Sequence, residues 1–263
     1  MKYHLPKKRE ICATGHWSQG WKSYDPILGR LVFLKEFKRE NWNHYWKYIK
    51  DSNVEYQKMK LLKDSPYYPR LYGYAVNKGK AYIAMEYVPG FCLAEIYSNH
   101  KCGRKKAVRI TIKILQGIKD MHKSGLYHGD LQMRNVIINN KNENTVKIID
   151  FGQSMYRNKK GVVSGKINTA FWGYTPPEQY RNMYFDNSDY YGAICICVRL
   201  ITGQDPFLSI QSKNEVQLVQ SKIPYWNVGD KNLQNILRKS LSFYPFQRFK
   251  TADDLIKVLL PFC

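Results

Sequence analysis

Tyr127-His128-Gly129-Asp130-Leu131-Gln132-Met133-Arg134-Asn135, with Asp150-Phe151-Gly152 further along, is the most informative part of this chain. Two strand-like runs, Val136 to Ile138 and Val146 to Ile149, lie between Asn135 and Asp150, which are 15 positions apart. Asparagine and aspartate offer the hard oxygens that magnesium takes. Asp130, at the start of H-x-D-L-x-x-x-N, is spaced to accept or orient the proton of an acceptor hydroxyl, leaving Asn135 and Asp150 to hold the metal. Phosphoryl transfer needs that division of labour, because the acceptor must lie in line with a nucleotide phosphate whose charge metal and cations neutralise. Each fragment alone says little: Asp130 would serve as a helix cap and Asp150 as a strand-end turn residue. Their joint order carries the reading.

On the N-terminal side, residues 10 to about 90 read as short strands around one helix. Leu31 to Leu34, Leu71 to Val76 and Ala81 to Met85 are strand-like, and a helical stretch covers about 41 to 63. Asn77-Lys78-Gly79-Lys80 predicts a hairpin between the last two strands. Val88-Pro89-Gly90 breaks the pattern. Beyond it, helices are expected near 104–124, 187–203, 230–242 and 251–260, with only the two strand-like runs already quoted. The expected fold class is α+β and bilobal. One domain over 1–263 is expected to hold a small strand-rich N-lobe (about 10–87) and a larger helical C-lobe (about 88–263), with a cleft at the break.

Further residues join the acid pair in order: Val32-Phe33-Leu34-Lys35, then Glu55 20 positions on, then Ala81-Tyr82-Ile83-Ala84-Met85-Glu86-Tyr87-Val88-Pro89-Gly90. With them the chain resembles the eukaryotic-type (Hanks-type) protein kinases, as a divergent member, from about residue 10 to the end. The resemblance implies a protein-kinase-like fold in which Lys35 contacts phosphate and Glu55 is its helix partner. It also implies catalysis by Asp130 and metal binding by Asn135 and Asp150. Nucleotide contacts are implied for Gly15, Gly20, Met85 as gatekeeper, the Glu86-Tyr87-Val88 backbone and Ile137. Thr175-Pro176-Pro177-Glu178 resembles the close of the activation segment, Asp189 the residue that braces the catalytic loop, and Arg248 the partner of Glu178. The plainer alternative for Lys35 and Glu55 is a surface ion pair, and the glutamate register is open by one residue.

The departures from the family are as informative. Gly15-His16-Trp17-Ser18-Gln19-Gly20-Trp21-Lys22 keeps the outer glycines of G-x-G-x-x-G-x-V but has Trp17 at the middle one, which puts close backbone approach to phosphates in question. Trp17 is open to three readings: a lid over the phosphates, a block, or part of an ordinary surface hairpin. Lys22 stands where valine covers adenine, and Phe33 replaces the small residue of V-A-I-K. Gly129 replaces the arginine of H-R-D, so phosphorylation of Ser154, Ser164 or Thr169 is expected to matter little. Gln132 replaces a lysine and Phe171 a threonine common in serine/threonine kinases. Arg134 and Thr175 are similar to tyrosine kinases, and the H-G-D-L opening to small-molecule kinases.

Bulk properties set the remaining bounds. At 263 residues, 44% hydrophobic, the chain has ample length for a packed core. With 42 Lys and Arg against 21 Asp and Glu, its formal charge of +21 attracts phosphates, nucleic acid or acidic proteins. Cys12, Cys92, Cys102, Cys195, Cys197 and Cys263 lack paired metal-ligand spacings; no secretory leader is evident, and reduced thiols in the cytoplasm, with the nucleus as an alternative, are expected. No apolar run is long enough to span a bilayer. The resemblance thus implies a kinase using ATP and Mg2+, or Mn2+, on a Ser/Thr or Tyr hydroxyl of a protein, with acidic substrates favoured and nucleic acid not excluded. A pseudokinase acting as a binding module and a small-molecule phosphotransferase are the alternatives.

Overall fold

Alternation along Arg30–Phe37 (β3) shows why the first part of the chain forms a sheet. Val32, Leu34 and Glu36 are buried while Phe33, Lys35 and Phe37 are partly exposed on the opposite face, the period-two pattern of a strand. The computed structural model of the protein describes residues 3–15, 18–37, 45–139, 142–157, 173–207 and 226–263, with backbone alone at 45–47 and 142–144. Trp17, Ser164, Thr169 and Phe171, singled out above, lie outside the described residues. The chain forms two compact units, Met1–Pro89 and Gly90–Cys263.

In the first unit, Glu10–Thr14 (β1), Ser18–Asp25 (β2), β3, Leu71–Asn77 (β4) and Lys80–Glu86 (β5) make an antiparallel sheet in the order β1-β2-β3-β5-β4. Val32, Leu34 and Ala84 pack with Tyr3, Leu5, Trp21, Leu28 and Tyr72. β4 and β5 pair with Asn77 opposite Lys80, so Lys78 and Gly79 form the two-residue turn. Both have positive φ, 47° and 73°, as a type I′ turn requires. The helix Tyr45–Lys60 (α1) packs on β4 and β5, with the Tyr56 and Tyr74 rings 5.4 Å apart and a 2.9 Å hydrogen bond between Ser52 Oγ and Tyr74 OH.

In the second unit, Phe91–Cys92 (β6), Leu93–Ile96 (α2), Arg104–Lys123 (α3) and Leu126–Tyr127 (β7) precede Val136–Asn139 (β8), Asn142–Ile148 (β9) and Met155–Tyr156 (β10). Strands β6, β8 and β9 form one small sheet, and β7 pairs with β10. The helices Asp186–Thr202 (α4), Lys231–Ser240 (α5) and Ala252–Leu259 (α6) follow among the described residues. α4 is apolar around most of its circumference, and it is accordingly buried along nearly its whole length. Cys195 and Cys197 are wholly buried there, and burial pushes the Cys197 thiol up to about 12. α5 and α6 start at side-chain caps, Asp230 accepting from Leu233 N–H at 3.0 Å and Thr251 from Asp254 N–H at 3.1 Å.

The strand expectation for this unit needs correction. β6, β7 and β10 are two residues each, too short to show a period, and β9 begins four residues before Val146 in polar sequence that carries no apolar signal. Among the described residues, no helix is long and apolar enough to cross a membrane.

Candidate active site

The loop carrying Asp130 is built on a buried carboxylate. Asp189, in the first turn of α4, is fully buried and accepts from the backbone N–H groups of His128 (3.0 Å) and Gly129 (3.1 Å). Tyr184 OH donates to it at 2.6 Å, and His122 Nε2 lies 2.8 Å away. Burial alone would raise this carboxyl, but the His122 hydrogen bond and the charges of His122 and His128 outweigh it, and the group sits below the ordinary aspartate value. One turn later Gly192 brings α4 against the loop; a Cβ there would meet Leu131 O at 2.8 Å.

Asp130 leaves this platform with its carboxylate held by two neutral amides. Gln132 Nε2 donates to both oxygens, at 2.9 and 3.0 Å, and Asn135 Nδ2 donates to Oδ2 at 3.0 Å and to the Asp130 carbonyl at 2.8 Å. Desolvation raises the Asp130 carboxyl and the Asp150 charge adds to this; His128 and the amide bonds work the other way, and the net shift is upward. Gln132, which stands where serine/threonine kinases commonly carry a lysine, is buried and clamps Asp130.

Asp150 is exposed, has φ of 67°, and accepts from Gly152 N–H at 3.2 Å. Phe151 is buried with its ring 6.3 Å from that of His128, whose Nε2 lies 3.3 Å from Ile149 O. These contacts fix the turn that presents Asp150. Ile137, on β8 opposite Lys147, is partly exposed.

Glu178 and Arg248 meet as expected, in a buried bidentate pair at 2.7 and 2.8 Å. Gln179, the next residue, donates to Gly129 O at 3.2 Å, tying this segment to the catalytic loop. Gly129 has φ of 80°, and a Cβ there would lie 2.5 Å from Gln153 O. Arg157 makes a two-point ion pair with Asp186, its Nε at 2.8 Å.

In the first unit, Lys35 Nζ lies 2.7 Å from Glu55 Oε1, and both side chains are largely buried, which fixes the open register at Glu55. Met85 is buried. Glu86 N–H is spent on Arg70 O at 2.8 Å, so of the expected Glu86-Tyr87-Val88 contacts that donor is already occupied. Gly15 N–H donates to Ser18 O at 2.9 Å. The bare face of Gly20 is taken by Phe33, whose ring would lie 2.5 Å from a Cβ there. Lys22 Nζ lies 5.1 Å from the centroid of the Tyr87 ring. Sequence reasoning missed His122 and Tyr184, which have no motif signal.

A five-stranded sheet with a buried Lys–Glu pair, and a helical unit with a braced H-x-D loop followed by D-F-G, are the parts of the protein kinase fold. A family model described as the protein kinase domain matches residues 11–259, and the chain belongs to that family. It is similar to the serine/threonine-protein kinase PrkC of Bacillus subtilis (strain 168), 28% identical over 93% of this chain and 38% of that protein. CBL-interacting protein kinase 17 of Oryza sativa subsp. japonica is 31% identical over 74% of this chain and 43% of its own length. Calcium-dependent protein kinase 4 of Plasmodium falciparum (isolate 3D7) is 27% identical over 94% and 47%. This chain spans less than half the length of each of these relatives.

Proposed function

We propose that the chain is an active protein kinase that uses ATP and magnesium to phosphorylate a serine or threonine hydroxyl of a protein, tyrosine being the alternative acceptor. The observation that carries this reading is the geometry around Asp130. Its carboxylate is oriented by Gln132 and Asn135, and its raised affinity for a proton suits a group that takes one from an alcohol. The residues fit a metal nucleotide. Asn135 turns its Nδ2 toward Asp130 and so has Oδ1 to offer a cation, while Asp150 is an exposed carboxylate held in a fixed turn. When bound, magnesium ATP supplies the transferable phosphoryl group and neutralises its charge. Within the first unit, Lys35 is held by Glu55 as a cation of the kind that suits a phosphate.

Serine or threonine is favoured by the similarity to the serine/threonine-protein kinase PrkC. The formal charge of +21 favours acidic substrates, and catalytic efficiency should then fall as salt rises. A cytoplasmic or nuclear setting is supported by six cysteines that are all unpaired.

A pseudokinase reading draws on one observation, the Phe33 ring packed on Gly20 beside Lys22 and Tyr87 in the expected nucleotide roof. One assay separates the two. The purified chain is incubated with magnesium and labelled ATP against mixed, acidic and basic proteins and small alcohols, with Asp130→Asn and Asp150→Ala as controls. Transfer to protein above both controls supports the kinase; nucleotide binding without such transfer by well-folded protein rejects it.

A further inference from the structure

Far along the chain from the catalytic loop, the second unit carries a pocket that phosphoryl transfer does not use. It has a volume of about 390 Å³ and is walled by Pro177, Met183, Phe185, Phe243, Pro245 and Phe246. Two features separate it from ordinary surface. The first is an aromatic ladder left open to solvent: Phe243 meets Tyr244 edge-on at 5.1 Å, and Tyr244 stacks on Phe246 at 5.4 Å. Tyr244 is 50% exposed and Phe246 78% exposed. Solvent offers no reason to keep two such rings outside, and contiguous exposed apolar surface marks interaction sites.

The second feature is the sign of the charge. Glu178 lies in the wall, but its carboxylate is buried and taken up by both terminal nitrogens of Arg248. Asp186, between Phe185 and Asn187 in sequence, is likewise held by Arg157 at two points. The exposed charges in the lining are therefore Arg181, whose guanidinium lies 6.0 Å from the Phe243 ring centre, and Lys250. Asn187, also in the wall, donates its amide to Pro245 O at 2.7 Å.

We propose that this pocket docks an acidic protein segment carrying a bulky apolar anchor: the anchor fills the apolar floor against Phe246, and flanking carboxylates meet Arg181 and Lys250. Aromatic anchors in a desolvated pocket with charges at the rim are the arrangement that gives peptide grooves their affinity and their orientation. A nucleic-acid strand fits less well. Stacking platforms need open ring faces along a continuous basic track, whereas Tyr244 and Phe246 face each other and, among the described residues, the cations lining this pocket are Arg181 and Lys250. The proposal does not depend on Asp130 being catalytic.

The test pans the full chain against a library of random twelve-residue peptides, then titrates the selected peptides, fluorescein-labelled, and a twelve-nucleotide uridine RNA by fluorescence anisotropy. Expected are peptides with Asp or Glu around a Leu, Phe or Trp. Their Kd should rise at least about tenfold in Phe246→Ala and in the Arg181→Glu, Lys250→Glu double variant. These side chains are exposed, so both variants should keep the parent melting temperature; transfer by Asp130→Asn chains is irrelevant to the outcome, and Asp130→Asn should bind the peptides normally. Selection of no such peptides overturns the proposal. So does equal binding by the variants, or RNA binding that these same substitutions abolish while peptide binding persists.

Discussion

Arg248→Met should be among the most damaging single changes in the second unit, and its cost follows from the geometry. The guanidinium gives two hydrogen bonds to Glu178, one to Ser242 O at 2.8 Å and one to Phe243 O at 3.1 Å, and stacks on Tyr191 at 4.8 Å. Both charged side chains are almost completely buried, 1% and 2% exposed. Removing the cation leaves Glu178 in a low-dielectric pocket with the Ser188 hydroxyl at 2.5 Å as its remaining donor. Breaking one partner of such a pair costs about 3–5 kcal/mol, a large part of the roughly 5–15 kcal/mol that holds a domain together. At about 2–4 °C per kcal/mol for a domain of this size, the melting temperature should fall by roughly 6–20 °C. Calorimetry and urea unfolding measure this directly. The double variant Glu178→Leu, Arg248→Met replaces two buried charges by apolar groups and should lose less than the two singles combined, with a coupling of at least about 2 kcal/mol. Single losses under about 1 kcal/mol, or strict additivity, would refute the claim that the pair is desolvated and mutually dependent.

Lys35→Met should lower single-turnover transfer at least about a hundredfold, with a smaller loss in Glu55→Gln, which keeps the cation but not its anchor. Because the Asp130 carboxyl is raised, the acid limb of kcat/KM against pH should lie above the ordinary aspartate value of about 3.9, and Gln132→Ala should move it higher by removing a bond that favours the charged form. Asp189 is depressed in the folded chain, so its stabilisation is present above the ordinary carboxylate value and is lost as pH falls through the lower folded value. Urea midpoints for Asp189→Asn should accordingly show a loss of at least about 2 kcal/mol at pH 7 that shrinks in acid. Gly20→Val should cost about 1–3 kcal/mol by overpacking against Phe33, and adding Phe33→Ala should recover part of it in thermal unfolding.

What was legible in the sequence depended on whether a single residue type could do the work. Asp130, Asn135, Asp150 and the Glu178 and Arg248 pair were singled out by motif order, and the structure sets Asn135 against Asp130 and Arg248 against Glu178. The hairpin at Lys78-Gly79 was legible because positive φ at two positions leaves few choices. β6, β7 and β10 were not, since two residues carry no period and their pairing is decided by distant chain. His122 and Tyr184 were missed for a related reason: they act on Asp189 through space, from different elements. Gln132 and Phe33 were visible as oddities, but only packing shows that the one clamps Asp130 and the other uses the space beside Gly20.

Gly129 shows how far such an oddity is from a simple loss. Read as sequence, it is an H-R-D loop without its arginine. In the folded chain the residue has φ of 80°, and a Cβ would meet Gln153 O at 2.5 Å and Met155 Cε at 2.9 Å. An arginine therefore cannot be restored without moving the backbone that follows D-F-G, which closes on this glycine. The work of holding the segment has passed to bonds internal to the chain. Met155 and Tyr156 pair with Tyr127 and Leu126, Arg157 N–H reaches Gly125 O at 2.8 Å, and the Arg157 guanidinium grips Asp186. Ser154, one of the three hydroxyls weighed as phosphorylation sites, is buried, out of reach of a modifying enzyme while the chain is folded. The stretch that follows D-F-G is thus anchored by Arg157, an arginine of that stretch itself.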